Sequence, residues 1–172
     1  IILFVFASCE EKKLEFQNVS DMQAYLNDSE NGFISSQETS DLVYEVKLTP
    51  SLESEEVPQV TVQLRMKRQD NGVVLDFGGP NEFEVLEREG YLAFEVLKDA
   101  WLEVDGEQYP AIFHHYERNY GLKPSIDVLF NFQYIDPKEA VYFVYRDELF
   151  GQGLTKIEFS KELFNKCYVE KA

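Results

Sequence analysis

From residue 44 onward, apolar and polar side chains alternate one for one through long stretches of the chain, the pattern of strands with one buried face. Tyr44, Val46 and Leu48 alternate with Glu45 and Lys47, and Val60, Val62, Leu64 and Met66 alternate with Thr61, Gln63, Arg65 and Lys67. Asn71-Gly72, a pair that tolerates positive φ, predicts a hairpin into a strand through Val73, Val74, Leu75 and Phe77. Leu92, Phe94 and Val96 predict the next strand. Leu102 and Val104 then lead through Asp105-Gly106, a second tight turn, to a partner strand carrying Tyr109, Ile112 and Phe113. Ile126, Val128, Phe130 and Phe132 alternate with Asp127, Leu129, Asn131 and Gln133, where Leu129 hints at burial on both faces. Asp136-Pro137 marks a turn, 141–145 a strand, and Gly151-Gln152-Gly153 a break before the last strand, 155–159.

Ahead of these strands the period is helical. Ser20 or Asp21 can cap a first turn, Met22, Tyr25 and Leu26 fall on one side, and Asn31-Gly32 stops the helix. Seven or eight short strands with turns between them predict an all-β domain, a two-sheet β-sandwich with one short N-terminal helix. A closed barrel of the same strands is the alternative. Glu53, Glu55 and Glu56 before Pro58 read as a loop, and no repeat appears.

Composition narrows the function classes. Hydrophobic residues make up 44% and aromatics 15% of 172 residues, too much for disorder. Against 32 Asp and Glu stand 16 Lys and Arg, a net charge of −16. That balance argues against nucleic acid as a partner, which requires a basic patch, and favours basic partners or cations.

Candidate chemistry is sparse. His114 and His115 are the two histidines, and neighbours on a strand point to opposite faces, so they do not form a metal pair; Glu117 shares a face with His115. Asp147 and Glu148, near Asp136 and Gly151, offer oxygens to calcium but lack the EF-hand spacing, which leaves an acidic turn as the simpler expectation. No Gly-flanked nucleophile elbow appears, and 32 carboxylates nominate no glycosidase pair. Cys167, among Phe164, Tyr168 and Val169, reads as a packed small hydrophobe. Tyr116 and Tyr120 beside Arg118 form an exposed-looking aromatic and basic cluster, the kind of side chains that anchor interfaces. No catalytic residue, metal site or cofactor is expected.

The first thirteen residues carry a resemblance. The apolar run from Ile1 to Phe6, then Ala7, Ser8 and Cys9, resembles the end of a bacterial lipoprotein signal peptide, with Phe6 where the lipobox usually has Leu. No Met and no basic residues precede it, so the chain reads as one that has lost its first residues. The resemblance implies a signal-peptide remnant over 1–8, lipidation at Cys9, a tether over 9–19 and a β-sandwich domain over 20–172. Multiple acyl chains on Cys9 would hold the protein stably on a membrane, and Cys167 would be left without an intramolecular disulfide partner. Glu10, Glu11, Lys12 and Lys13 resemble the charged tag of surface-exported lipoproteins of Bacteroidota. Tyr25 to Gly32, Glu117 to Leu122 and Asp147 to Gly153 resemble stretches of uncharacterised lipoproteins of the same bacteria. The strand order resembles immunoglobulin-like domains of secreted bacterial proteins. Together these imply a protein anchored by lipid in the outer membrane, facing the periplasm or the cell surface, that binds an envelope protein partner and catalyses nothing. The alternative is an immunity or inhibitor lipoprotein that neutralises a basic toxin or enzyme. A glycan-binding module would need a row of exposed aromatics, to which Trp101 is the one Trp available.

Overall fold

The computed structural model describes residues 19–50, 58–79, 81–119 and 123–167. Its longest strands, β2 (Leu42–Pro50) and β3 (Gln59–Arg68), follow the alternation read from the sequence. Leu42, Tyr44, Val46 and Leu48 of the first strand and Val60, Val62, Leu64 and Met66 of the second are fully buried. They pair antiparallel, with Val46 opposite Leu64. β1 (Ile34–Glu38) extends one side of this pair; β7 (Ile126–Gln133) and then β6 (Phe113–Tyr116) extend the other. The second sheet runs in the order β5 (Glu107–Pro110), β4 (Ala100–Val104), β8 (Val141–Asp147) and β9 (Gly153–Phe159). All ladders are antiparallel.

Phe130 and Phe132 of one sheet meet Phe143 of the other, with ring centroids 6.0 and 6.2 Å apart. The fold is a two-sheet β-sandwich. It is not the closed barrel, because the strands divide into two separate ladders. At one corner the two sheets are bridged by Gln37, whose Nε2 donates to the Leu154 carbonyl at 3.3 Å and whose Oε1 accepts from the Lys156 N–H at 2.9 Å. One carboxamide thus does for the edge of β9 what a neighbouring strand's peptide group would do, and edge groups left unpaired invite aggregation.

The expected N-terminal helix forms, with Ser20 and Asp21 inside its first turn rather than capping it and with its end at Asn27, ahead of Asn31-Gly32. α1 (Val19–Asn27) buries Met22 and Leu26, and a short 3-10 turn follows, capped by the Asp28 carboxylate on the Glu30 N–H. Gly32 ends the turn at φ +76°, a left-handed conformation that glycine adopts without steric cost.

Three expectations are corrected. The segment after Asn71-Gly72 is not a strand: Val74–Asp76 is a 3-10 turn, Val74 N–H donates to the Pro124 carbonyl, and β3 pairs instead with β2 and β7. Asn71 has the expected positive φ of 60°, but Arg68 pairs with Asp70 and lies over the Phe77 ring, folding the chain back before it can join the ladder.

Leu92, Phe94 and Val96 do not make a strand either. The first two lie in α2 (Glu82–Phe94), a helix of 13 residues, and the protein has more than the one short helix foreseen. Its start is marked locally, since the Asn81 side chain accepts from the N–H groups of Phe83 and Glu84 as an N-cap and donates its amide to the Glu84 carboxylate. Acidic Glu82 and Glu84 then suit the positive end of the helix. Leu92 and Val96, four apart, are both buried at helical spacing; the intervening exposed Phe94 imitated a period of two. A third helix, α3 (Lys161–Asn165), is capped by Ser160.

Finally, Tyr109, Ile112 and Phe113 do not share a strand. The chain leaves β5 at Pro110 and crosses to the other sheet, where β6 pairs with β7. That crossing places α2 beside the edge strand β6.

Candidate functional site

The carboxylate at the end of β8 is spent on the fold. Asp147, 3% exposed, accepts from the N–H groups of Leu149 at 3.0 Å and Phe150 at 2.9 Å on Oδ1, and from Gln152 N–H at 3.3 Å and the Tyr44 hydroxyl at 2.5 Å on Oδ2. Burial first, and then this bond, push the Tyr44 phenol far above its ordinary range. Both oxygens are engaged with donors, which is how an acidic turn is held inside a sandwich. Glu148 projects outward and pairs with Arg146 at 3.3 Å. Among the described residues no group of three or more His, Cys, Asp or Glu converges as a metal site.

A second polar cluster joins α2 to the second sheet. Tyr91 of α2 donates its hydroxyl to Asp99 Oδ2 at 2.6 Å, and Arg146 of β8 donates to Asp99 Oδ1 from Nε at 3.1 Å and from Nη2 at 2.8 Å. Asp99 is almost fully buried; these bonds compensate the cost of taking its charge from water. These groups floor an open groove of about 770 Å³, walled by Glu84, Glu87 and Arg88 on the helix and by Lys98 and Glu148 opposite. Arg88 is turned into the fold: it donates to the Leu75 carbonyl, pairs with Glu84 at 3.3 Å and lies 5.5 Å over the Phe150 ring. Lys98 pairs with Glu95 at 2.7 Å. The groove's cations are therefore neutralised by carboxylates of the same protein, and its polar groups clasp α2 to the sandwich.

The other side of α2 is different in kind. Phe83, Leu86, Gly90 and Phe94 recur three, seven and eleven positions along, which aligns them on one side of a helix with 3.6 residues per turn. Val85 and Leu92 lie opposite, against the core. Phe83, Leu86 and Phe94 are 67%, 66% and 84% exposed. At Gly90 a side chain would meet nothing within 4 Å, so the stripe has a notch at its centre. The helix is tied down at its C-terminal end by His114 of β6, whose Nε2 lies 3.2 Å from the carbonyl oxygens of both Leu92 and Ala93; carbonyls only accept, so this nitrogen carries the proton. Ile112 and Phe113, just before His114, are 54% and 59% exposed. Phe83, Leu86 and Phe94 thus form an exposed apolar stripe on α2, while Phe113, turned to the sheet face opposite His114, and Ile112 add exposed apolar positions of their own on the adjoining edge. Single exposed apolar residues, such as Leu154 on β9, are ordinary on a surface; a grouping of this kind marks an interaction face.

The residues singled out in the sequence do not assemble at this face. Tyr116 is a core residue at 9% exposure, not an exposed anchor; its hydroxyl is buried without a hydrogen-bond partner, and burial raises its phenol above the usual range. The reason is register: Tyr116 lies opposite Val128 on the inward face. Arg118 is half exposed and pairs with Glu89 of α2 at 3.5 Å. Tyr120 and Cys9 lie outside the described residues. His114 and His115 take opposite faces as the strand geometry requires, His115 being exposed. Cys167 is fully buried, a free thiol that desolvation pushes up to about 12. On the outer face of the second sheet Trp101 and Tyr142 are each covered by a cation, Arg146 at 6.0 Å and Lys156 at 4.3 Å from the rings, so they form no bare aromatic row.

What the sequence reading missed was α2. The signal was present in Asn81-Glu82-Phe83-Glu84, a cap followed by acidic first-turn residues, and in a window with four Glu, two Leu and one Arg, all good helix formers. Among the described residues no helix is long and apolar enough to cross a membrane. Searches for a matching protein family, curated protein or solved structure find none that this chain resembles closely enough to register.

Proposed function

We propose that this chain is a lipoprotein of the bacterial outer membrane, tethered through Cys9, whose β-sandwich is a non-catalytic module that docks onto another envelope protein. The observation that supports it is the apolar face of α2, with Phe83, Leu86 and Phe94 exposed. A helix that is apolar on its outer side as well as its inner side carries surface beyond what its own fold uses. The polar clusters around Asp147 and Asp99 make internal bonds and support a structural role for the titratable groups. Tethering raises the effective concentration of such a module at the membrane, so a modest contact suffices for docking.

The test is recovery of the tagged protein from mildly solubilised native membranes, with co-purifying proteins identified by mass spectrometry. A stoichiometric envelope protein that is captured by the parent chain and lost from the Phe83→Ser, Leu86→Ser, Phe94→Ser triple variant supports the reading. Capture that survives this variant, or an empty preparation, rejects it. Fatty-acid labelling in parallel should disappear in Cys9→Ala; label that persists removes the anchor from the proposal. The second reading, an inhibitor of a basic toxin or enzyme, draws on the net charge of −16 and is favoured if the captured protein is soluble and basic.

A further inference from the structure

We infer that the outer face of α2 receives an amphipathic helix of the partner protein, one whose apolar stripe is flanked by Lys and Arg; this rests on the docking reading above and specifies its partner. Two features of α2 lead to it. The first is shape. Phe83, Leu86, Glu87 and Gly90 stand at i, i+3, i+4 and i+7, the four corners of a hole into which a side chain of a packed helix inserts. With no side chain at Gly90 and open space over it, that hole is deep enough for a Leu, Ile or Phe.

The second is charge. Glu82 and Glu87 are exposed on either side of the stripe, and Glu84 walls the polar groove together with Glu87. The one cation of the helix, Arg88, is committed to the Leu75 carbonyl and Glu84. The charges that α2 itself presents beside the stripe are therefore acidic, Glu82 and Glu87, while the neighbouring cations Arg118 and Lys98 pair with Glu89 and Glu95. A second copy of this chain is the poorer occupant, because it would bring the same carboxylates against their own kind on a body already at −16. Lys and Arg beside an apolar stripe meet both demands, with long side chains that cover apolar surface while their heads reach the Glu rim.

The experiment uses the full chain and three synthetic peptides of about three heptads: Leu at the a and d positions with Lys at e and g, the same with Glu at e and g, and a scrambled version of the Lys peptide. Binding is read by fluorescence anisotropy across a salt series. The Lys-flanked helix should bind at least about tenfold more tightly than either other peptide, and weaken as salt rises. The Phe83→Ser, Leu86→Ser, Phe94→Ser variant, which keeps every carboxylate, should lose about tenfold. Gly90→Leu, which fills the notch, should lose affinity as well, and Glu82→Gln with Glu87→Gln should flatten the salt dependence. Equal binding of the scrambled peptide, equal binding to the apolar-stripe variant, or preference for the Glu-flanked helix overturns the inference. So does a concentration-dependent dimer of the chain alone that Phe94→Ser dissolves, since a second copy then occupies the face. Capture of an envelope protein through α2 alongside any of these results leaves the docking function standing and removes only this partner chemistry; an empty preparation, or capture that survives the apolar-stripe variant, rejects the function itself.

Discussion

The end of β8 and the outer side of α2 treat solvent in opposite ways. Asp147 is a charged group taken out of water, and the fold answers it completely, with three backbone N–H groups and the Tyr44 hydroxyl. Phe83, Leu86 and Phe94 are apolar groups left in water, and the described fold does not answer them. Removing an internal partner from a satisfied buried carboxylate costs stability; removing an exposed aromatic costs almost none. The contrast separates residues that hold the protein together from residues available to something else, and neither distinction follows from residue type, since charged residues usually lie outside and aromatic residues inside.

The largest effect that bears on this contrast is Asp147→Ala, which strands three backbone donors and a buried phenol and should cost about 3 kcal/mol or more. Urea unfolding measures it, and a cost under about 1 kcal/mol would mean that the turn is hydrated after all. The helix offers the same comparison within a few residues. Leu92→Ala, on the inner side, should cost about 2–4 kcal/mol by opening a cavity in the core, whereas Leu86→Ala should leave the midpoint within about 0.5 kcal/mol. Equal costs at the two positions would show that the outer side of α2 is covered in solution.

Alkaline pH probes the buried groups together. Cys167 is held protonated up to about 12 in the fold, while in the unfolded chain it ionises near about 8.5. Between those values the folded state binds the extra proton, so stability falls as pH rises, by about 1.4 kcal/mol per unit from this thiol. The raised phenols of Tyr44, Tyr91 and Tyr145 act in the same direction above about 10. Stability should therefore be flat near neutrality and decline from about pH 9, and Cys167→Ala should lessen the early part of the decline. At pH 8 the thiol should remain closed to Ellman's reagent until urea unfolds the chain. The smallest changes are expected at Phe83→Ser and Phe94→Ser, each within about 0.5 kcal/mol of the parent, with the readout being partner capture rather than stability.

Strands β2, β3, β7, β8 and β9, the helix α1 and the Asp105-Gly106 turn were legible because each is a local pattern with a local cause: a period of two fixes which face is buried, and Gly32 and Asn71 accept the backbone angles that their turns require. α2 was misread because Leu92, Phe94 and Val96 satisfy a period of two when Phe94 is assumed buried, and only the packed structure shows it at 84% exposure. Tyr116 was misread for the converse reason, as its pairing opposite Val128 turns it inward.

By itself the sequence determined that this chain is built mostly of short strands with one buried face and carries a strong negative charge, because alternation and charge are properties of residues and their neighbours. The division of strands between two sheets, the burial of Asp147 and the emergence of an uncovered helical face were decided by tertiary structure alone. Each depends on which distant segments meet, Tyr44 with Asp147 and His114 with the end of α2, and exposure is defined only once those contacts have formed.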